Sequence, residues 1–212
     1  MSAASVLGCP DCPPAREARD LFVQNLGFDV VRAALPFVLI AIVVFAVARV
    51  VRRYDGDASV SSTVSAGLVL GIGLGGFLDG IVLHQILQWH EMMSSVVPPD
   101  GLVEVKYNMI WDGLFHAGVW LTTVLGVLLL VRAARRGRVR SKRIFGGSLL
   151  GGWGLFNFIE GLVDHQLLGL HHVHPGSGQA AWDWGFVLVG GLGFMALGFV
   201  TTRSDLAGHS AV

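Results

Sequence analysis

Acids and histidines recur in two copies of one motif, within stretches apolar enough to cross a bilayer. Residues 71–90 read GIGLGGFLDGIVLHQILQWH and residues 152–171 read GWGLFNFIEGLVDHQLLGLH. Aligned, Asp79 matches Glu160, Gly80 matches Gly161, His84 matches His165, Gln85 matches Gln166 and His90 matches His171. Ionisable groups are costly in hydrocarbon and by default mark function there. Imidazole and carboxylate together suit zinc, iron or manganese, and helical bundles commonly hold such centres. The acids would offset the charge of a divalent ion, and an open coordination position would give hydrolytic or oxidative capability. Copper is a further option because of the run His171, His172 and His174 near the outer mouth, which reads equally as a way in for the ion or as a solvated loop.

Depth and angle select among the polar residues. Helices rise about 1.5 Å per residue, so if the second span leaves the membrane near His90, His84 lies about 9 Å in and Asp79 about 16 Å in. Glu160 and His165 fall at matching depths. Asp112 and His116, four apart on one face of the third span, sit about 6 and 12 Å below its outer end. Asp183 stands at the outer mouth of the fifth span. All lie in one slab, the outer half of the bilayer. The metal ligand candidates are Asp79, His84, Asp112, His116, Glu160 and His165, with Asp164, His171 and Asp183 as second choices. Gln85 and Gln166 would orient ligands from behind. At 100° per residue Asp79 and His84 are about 140° apart, so they are not expected to chelate as a pair. Three other readings stay open. His84 and His165 would suit the axial positions of a heme b. The acids and histidines would suit a proton or ion path. The set would also serve as a polar network fastening the helices.

Composition supplies the setting. Hydrophobic residues make up 53% of the 212 and charged residues 14%, with zero net charge; the mean hydropathy is +0.63. A soluble chain carries about a quarter charged residues, so this one reads as an all-α, multi-pass membrane protein, with the lipid bilayer its first partner. Five apolar stretches near 31–51, 63–90, 108–131, 144–171 and 183–202 are each long enough to span. The basic run Arg132, Arg135, Arg136, Arg138, Arg140, Lys142 and Arg143 reads as a topology signal, not a nucleic-acid site. With Arg49, Arg52, Arg53 and Arg203 it places the N-terminus outside and the C-terminus in the cytoplasm of a bacterial plasma membrane. No apolar core precedes residue 21, so the first span is expected to direct insertion.

The chain divides into an extracytoplasmic tail over 1–30, a first span over 31–53, a four-helix core over 63–202 and a cytoplasmic tail over 203–212. Residues 15–29 would form a short surface helix. Trp111-Asp112-Gly113 and Trp182-Asp183-Trp184 open the third and fifth helices alike, so helices two–three and four–five read as a parallel internal repeat. Gly67, Gly71 and Gly75, and again Gly147 and Gly151, are four apart and would let helix backbones approach. Cys9 and Cys12, the only cysteines, form a lone Cys-Pro-Asp-Cys that suits a disulfide, a redox pair, a soft-metal handle or an incidental tail.

Three segments carry a family resemblance: Gly76-Phe77-Leu78-Asp79-Gly80-Ile81-Val82-Leu83-His84-Gln85, Asp112-Gly113-Leu114-Phe115-His116, and Gly154-Leu155-Phe156-Asn157 through Glu160-Gly161 to His165. Together they resemble domain-of-unknown-function family 2243, a family of bacterial predicted membrane proteins, over most of the second to fifth helices. The resemblance implies a class and no activity. An association of members with assembly of copper-dependent terminal oxidases would imply a respiratory-complex or metal-delivery partner. Two functions follow: a membrane metalloenzyme, or a non-enzymatic handler of copper or another ion. An enclosed His/carboxylate site with a lipid-facing cleft would favour the enzyme. A shallow track from Cys9 and Cys12 to His171–His174 would favour the handler.

Overall fold

The chain's apolar stretches fold into five helices in a computed structural model that describes residues 12–55 and 58–209. Cys9 and the rest of residues 1–11 of the sequence-defined tail lie outside the described residues. Helix α1 is Pro13–Asp55. Helix α2 is Ala58–Leu78, continued by a wider, π-type stretch over Asp79–Ile86. Helix α3 is Leu102–Arg135. Helix α4 is Lys142–Glu160, continued by a second wide stretch over Gly161–Leu167. Helix α5 joins Gln179–Gly185, a wide stretch over Phe186–Gly193 and Phe194–His209. No strand occurs among the described residues.

Helices α2 and α4 pack together at the centre, with α3 against α2 and α5 against α4. The centre is possible because the facing residues are small. A Cβ on Gly71 would collide with the Leu149 carbonyl, and one on Gly152 with the Leu68 carbonyl. Gly67 faces Ser148. Without these side chains the two backbones come into direct contact, the packing that membrane helices use where burial of apolar surface gives no drive. Helix α1 lies outside this core against α2 and α3. Its rings pack at a tilt against those of α3, Phe22 on Trp111 at 5.2 Å and Phe37 on Phe115 at 6.1 Å. Buried Asp29 accepts hydrogen bonds from Tyr107 and Arg32.

Two expectations change. Residues 15–29 are not a separate surface helix: α1 is continuous over 43 residues, about 65 Å, longer than a bilayer core needs. Pro13 sits where a helix tolerates proline, at its first turn, and Pro36 is carried inside it. The apolar face of the early turns, Ala18, Leu21 and Phe22, joins the core, which extends the helix beyond the span. Four helices, not five, are long and apolar enough to cross a membrane among the described residues: α1, α2, α3 and α5. Helix α4 is diluted by glycines and by Asn157, Glu160, Asp164 and His165, all four of them buried among its neighbours.

The glycine seam yields a test. Gly71→Ala should destabilise the protein by about 1–3 kcal/mol through overpacking. Gly146→Ala, at a position with nothing within 4 Å, should be neutral or stabilising. Reversible unfolding in mixed micelles measures both.

Candidate metal centre

At the C-terminal ends of α2 and α4 the sequence stops an α-helix twice in the same way. Leu87 N–H donates to Val82 O and Leu168 N–H to Val163 O, both at 2.8 Å and both five residues back. Trp89 N–H then reaches Leu83 O at 3.0 Å and Leu170 N–H reaches Asp164 O at 2.8 Å, six residues back. Between them the chain turns left-handed, at Gln88 with φ 51° and at Gly169 with φ 57°. Glycine takes that conformation freely, whereas glutamine does so at a cost of about 1 kcal/mol. The reversal folds His90 and His171 back over His84 and His165.

Widening matters for the acids too. Where bonds run to the fifth residue, residues five apart fall nearly in register. Asp79 Oδ2 therefore lies 3.1 Å from His84 Nε2, and Glu160 Oε1 lies 2.9 Å from His165 Nε2. Regular α geometry had put each such pair on different faces, and the wide turn corrects that expectation.

The four imidazoles pack as one cluster. His90 and His171 stack with ring centroids 4.6 Å apart and 9° between planes. His84 meets His90 edge-on at 4.5 Å, and His165 meets His171 edge-on at 4.9 Å. All four rings are at most 3% exposed. Their Nδ1 atoms are tied from outside. His90 Nδ1 donates to Val173 O at 2.9 Å and His171 Nδ1 to Met92 O at 3.1 Å, so each loop holds the histidine of the other. His84 Nδ1 donates to Asp112 Oδ1 at 3.0 Å. His165 Nδ1 lies 3.6 Å from Asp183 Oδ1, an ion-pair distance. Asp112 also accepts from Met92 N–H at 2.8 Å and Gln85 at 3.3 Å. Asp183 accepts from Val173 N–H at 2.9 Å, His172 at 2.8 Å and, weakly, Gln166 at 3.5 Å.

A carbonyl only accepts, so His90 and His171 carry their proton on Nδ1 and, when neutral, direct a lone pair from Nε2. Both are loop residues beyond the helical spans. Burial lowers both rings below the usual histidine range, opposed at His171 by the contact with Glu160. Glu91, half-buried beside them, is pushed up to about 7 by burial and by Asp112. The Nε2 atoms of His84, His90 and His165 are buried without a hydrogen-bond partner among the described residues, as are Asp79 Oδ2 and Glu160 Oε2. At His171 the apposition is sharper: Nε2 lies 2.8 Å from Glu160 Oε1 although its proton is already engaged at Nδ1. Two acceptors at that distance repel unless a cation or a further proton stands between them. Two trios bring their ligand atoms within 4.8 Å of one another, His84 with His90 and His171, and Glu160 with His165 and His171.

Of the sequence candidates, the structure gathers Asp79, His84, Glu160, His165 and His171. Asp112 and Asp183 stand behind the imidazoles, not among the free nitrogens. Asp164 is buried with Oδ1 unpartnered. His116 is placed apart: its Nδ1 bonds the Asp112 carbonyl of its own helix at 2.7 Å, and its Nε2 packs over Gly80. His172 caps Asp183, and His174 sits between Trp89 and Trp182 at 5.0 and 5.9 Å. His90 was not a sequence candidate, although its match to His171 was the signal that pointed to it.

Asp112→Ala would strand the Met92 amide and the His84 Nδ1–H in a dry interior. The expected cost is about 3 kcal/mol, read as a lowered Tm, with faster hydrogen exchange at the Met92 amide.

No curated protein and no solved structure matches the chain. The sequence profile of one family covers residues 66–205, which takes in all four clustered histidines and both acids beside them. The chain belongs to that family, DUF2243, described as predicted membrane proteins.

Proposed function

We propose that His84, His90, His165 and His171, with Asp79 and Glu160, hold a divalent metal ion, and that the protein is a membrane metalloenzyme of hydrolytic or oxidative type. The observation that carries this reading is the facing of acceptors: Glu160 Oε1 against His171 Nε2, whose ring proton is already spent on Met92 O. Imidazole nitrogens and carboxylates suit zinc, iron or copper. When bound, such an ion supplies Lewis acidity or redox capability. The protein's own part is orientation. Asp112 and two backbone carbonyls fix the tautomers that leave Nε2 free, as partners behind metal-bound histidines do. Because His171 has one free nitrogen and belongs to both trios, one ion per chain is the expected stoichiometry.

Enclosure of the centre favours the enzyme over the copper handler. His172 and His174, which a surface track would use, are engaged with Asp183 and with two tryptophans. Heme b fits poorly: the stacked His90 and His171 occupy the space between His84 and His165 that a porphyrin would need.

The reading extends to topology. We take α2–α3 and α4–α5 as two copies of one unit and α4 as a fifth span. Equivalent contacts made at positions offset by 81 support this, including the helix stops, the exchanged His90 and His171 bonds, and the close approaches at Gly71 and Gly152. A cleft of about 230 Å³ at the bundle end away from the histidines gathers Arg52, Arg132, Arg136 and Arg138. It supports a cytoplasmic position for that end, with the centre toward the outside of a bacterial plasma membrane.

Elemental analysis of protein purified in detergent tests the centre. Close to one ion per chain is expected in the wild type, with loss in His171→Ala and His90→Ala and retention in His116→Ala. Equal metal content in all four proteins, or an absorption band of heme, would overturn it.

A further inference from the structure

Between α2 and α5 lies a cleft of about 470 Å³, within the range of small-molecule sites. Its walls are Gly75, Leu78, Val82, Leu83 and Trp89 on one side and Trp153, Trp182, Gly185 and Phe186 on the other. Asn157 also lines it, but its amide already donates to Gly190 O at 3.1 Å. The one carboxylate on the wall is Asp79. Its side chain is 4% exposed, its Oδ2 has no hydrogen-bond partner, and it faces the His84 ring. The cleft thus runs from the apolar outer surface of the bundle, where Leu78 and Trp182 are about half exposed, to the edge of the proposed metal centre.

Comparison with the other half of the molecule shows why the space exists. The residue 81 positions after Gly75 is Phe156, which is buried and packs on Phe115 at 6.1 Å. Helix α1 covers that side, with Phe37 on Phe115 and Phe22 on Trp111. The α2–α5 side has neither the ring nor the covering helix.

We infer that this cleft binds a membrane-dissolved amphiphile, whose apolar body lies along Leu78, Leu83 and Phe186 and whose single hydrogen-bond-donating end, a hydroxyl, meets the Asp79 carboxylate. This rests on the metalloenzyme reading and names its substrate class. A carboxylate accepts and does not donate, so it selects a hydroxyl end over a carboxylate end. The bilayer delivers the apolar part, and the open side of the bundle admits it without exposure to water.

The probe is ω-bromododecanol, added to the full chain in saturated phosphatidylcholine vesicles. Bromine quenches tryptophan on contact, and Trp89, Trp153 and Trp182 line the cleft. Saturable quenching is expected, reversed by dodecanol at concentrations about ten-fold lower than by dodecane, the ratio that one hydrogen bond to a charged acceptor gives. Gly185→Phe fills the cleft from a position with nothing within 4 Å and should abolish the saturable component. Its metal content should equal that of wild type, which shows that the fold and the centre survive. Quenching that never saturates, or that persists unchanged in metal-replete Gly185→Phe, overturns the cleft as a binding site. Equal competition by dodecane overturns the role of Asp79. Neither result touches the metal reading, which stands or falls on the metal content of His171→Ala.

Discussion

A buried imidazole has two nitrogens to satisfy away from water; the fold answers for Nδ1 of His84, His90 and His171, whereas neither nitrogen of His165 has a hydrogen-bond partner among the described residues. Leaving a polar group unpaired in a dry interior costs about 1–3 kcal/mol. The structure avoids this at Nδ1 of His84, His90 and His171, using a carboxylate and two carbonyls. It does not avoid it at Nε2 of His84, His90 and His165. Carboxylates lie close to two of these Nε2 atoms, Asp79 Oδ2 at 3.1 Å from His84 and Glu160 Oε1 at 2.9 Å from His165. Their convergence, with two carboxylates beside them, puts the uncompensated polarity at one point.

That point is set by the elements around it. The glycine contacts of α2 with α4 bring the helix axes close enough for rings from both loops to stack. The wide turns rotate Asp79 and Glu160 under their histidines. The left-handed residues Gln88 and Gly169 return the chain so that each loop supplies the carbonyl for the other's histidine. Asp112 and Asp183 pin those loops through Met92 N–H and Val173 N–H as well as orienting the rings. A shift in any of these would move several nitrogens together, since the loops are cross-braced, Ser95 N–H to Leu170 O included.

Much of this was legible in the sequence, and the gaps have physical causes. The all-helical membrane fold followed from apolar length, and the slab of acids and histidines followed from helical rise. Angle was the weak step. A uniform 100° per residue separates residues five apart, and nothing in GFLDGIVLHQ announces that the helix widens at Asp79. His116 shares a face with Asp112 as expected, yet a residue on an outer helix has a choice of bonding back to its own chain, and it takes the Asp112 carbonyl. His90 matches His171 in the repeat but was not among the ligand candidates; the chain reversal brings it inward. The carboxylates of α3 and α5 looked like ligands, but their backbones start farther from the centre than those of α2 and α4, so they reach the backs of the rings.

The two halves diverge where packing alone would not require it. Positions 81 apart share the histidines, the acid beside each, the helix stop and the glycine seam, yet Gly75 answers to Phe156. One flank is filled by Phe156, Phe115 and Trp111 and sealed by α1; the other is open to the surface beside Asp79. Selection for stability would fill both flanks, because close packing is the main attraction between helices in lipid. Filling one and opening the other leaves an apolar cleft beside Asp79 that opens on the face where Leu78 and Trp182 are exposed. On the metal reading proposed above, such a cleft would serve a molecule dissolved in the bilayer rather than one in water.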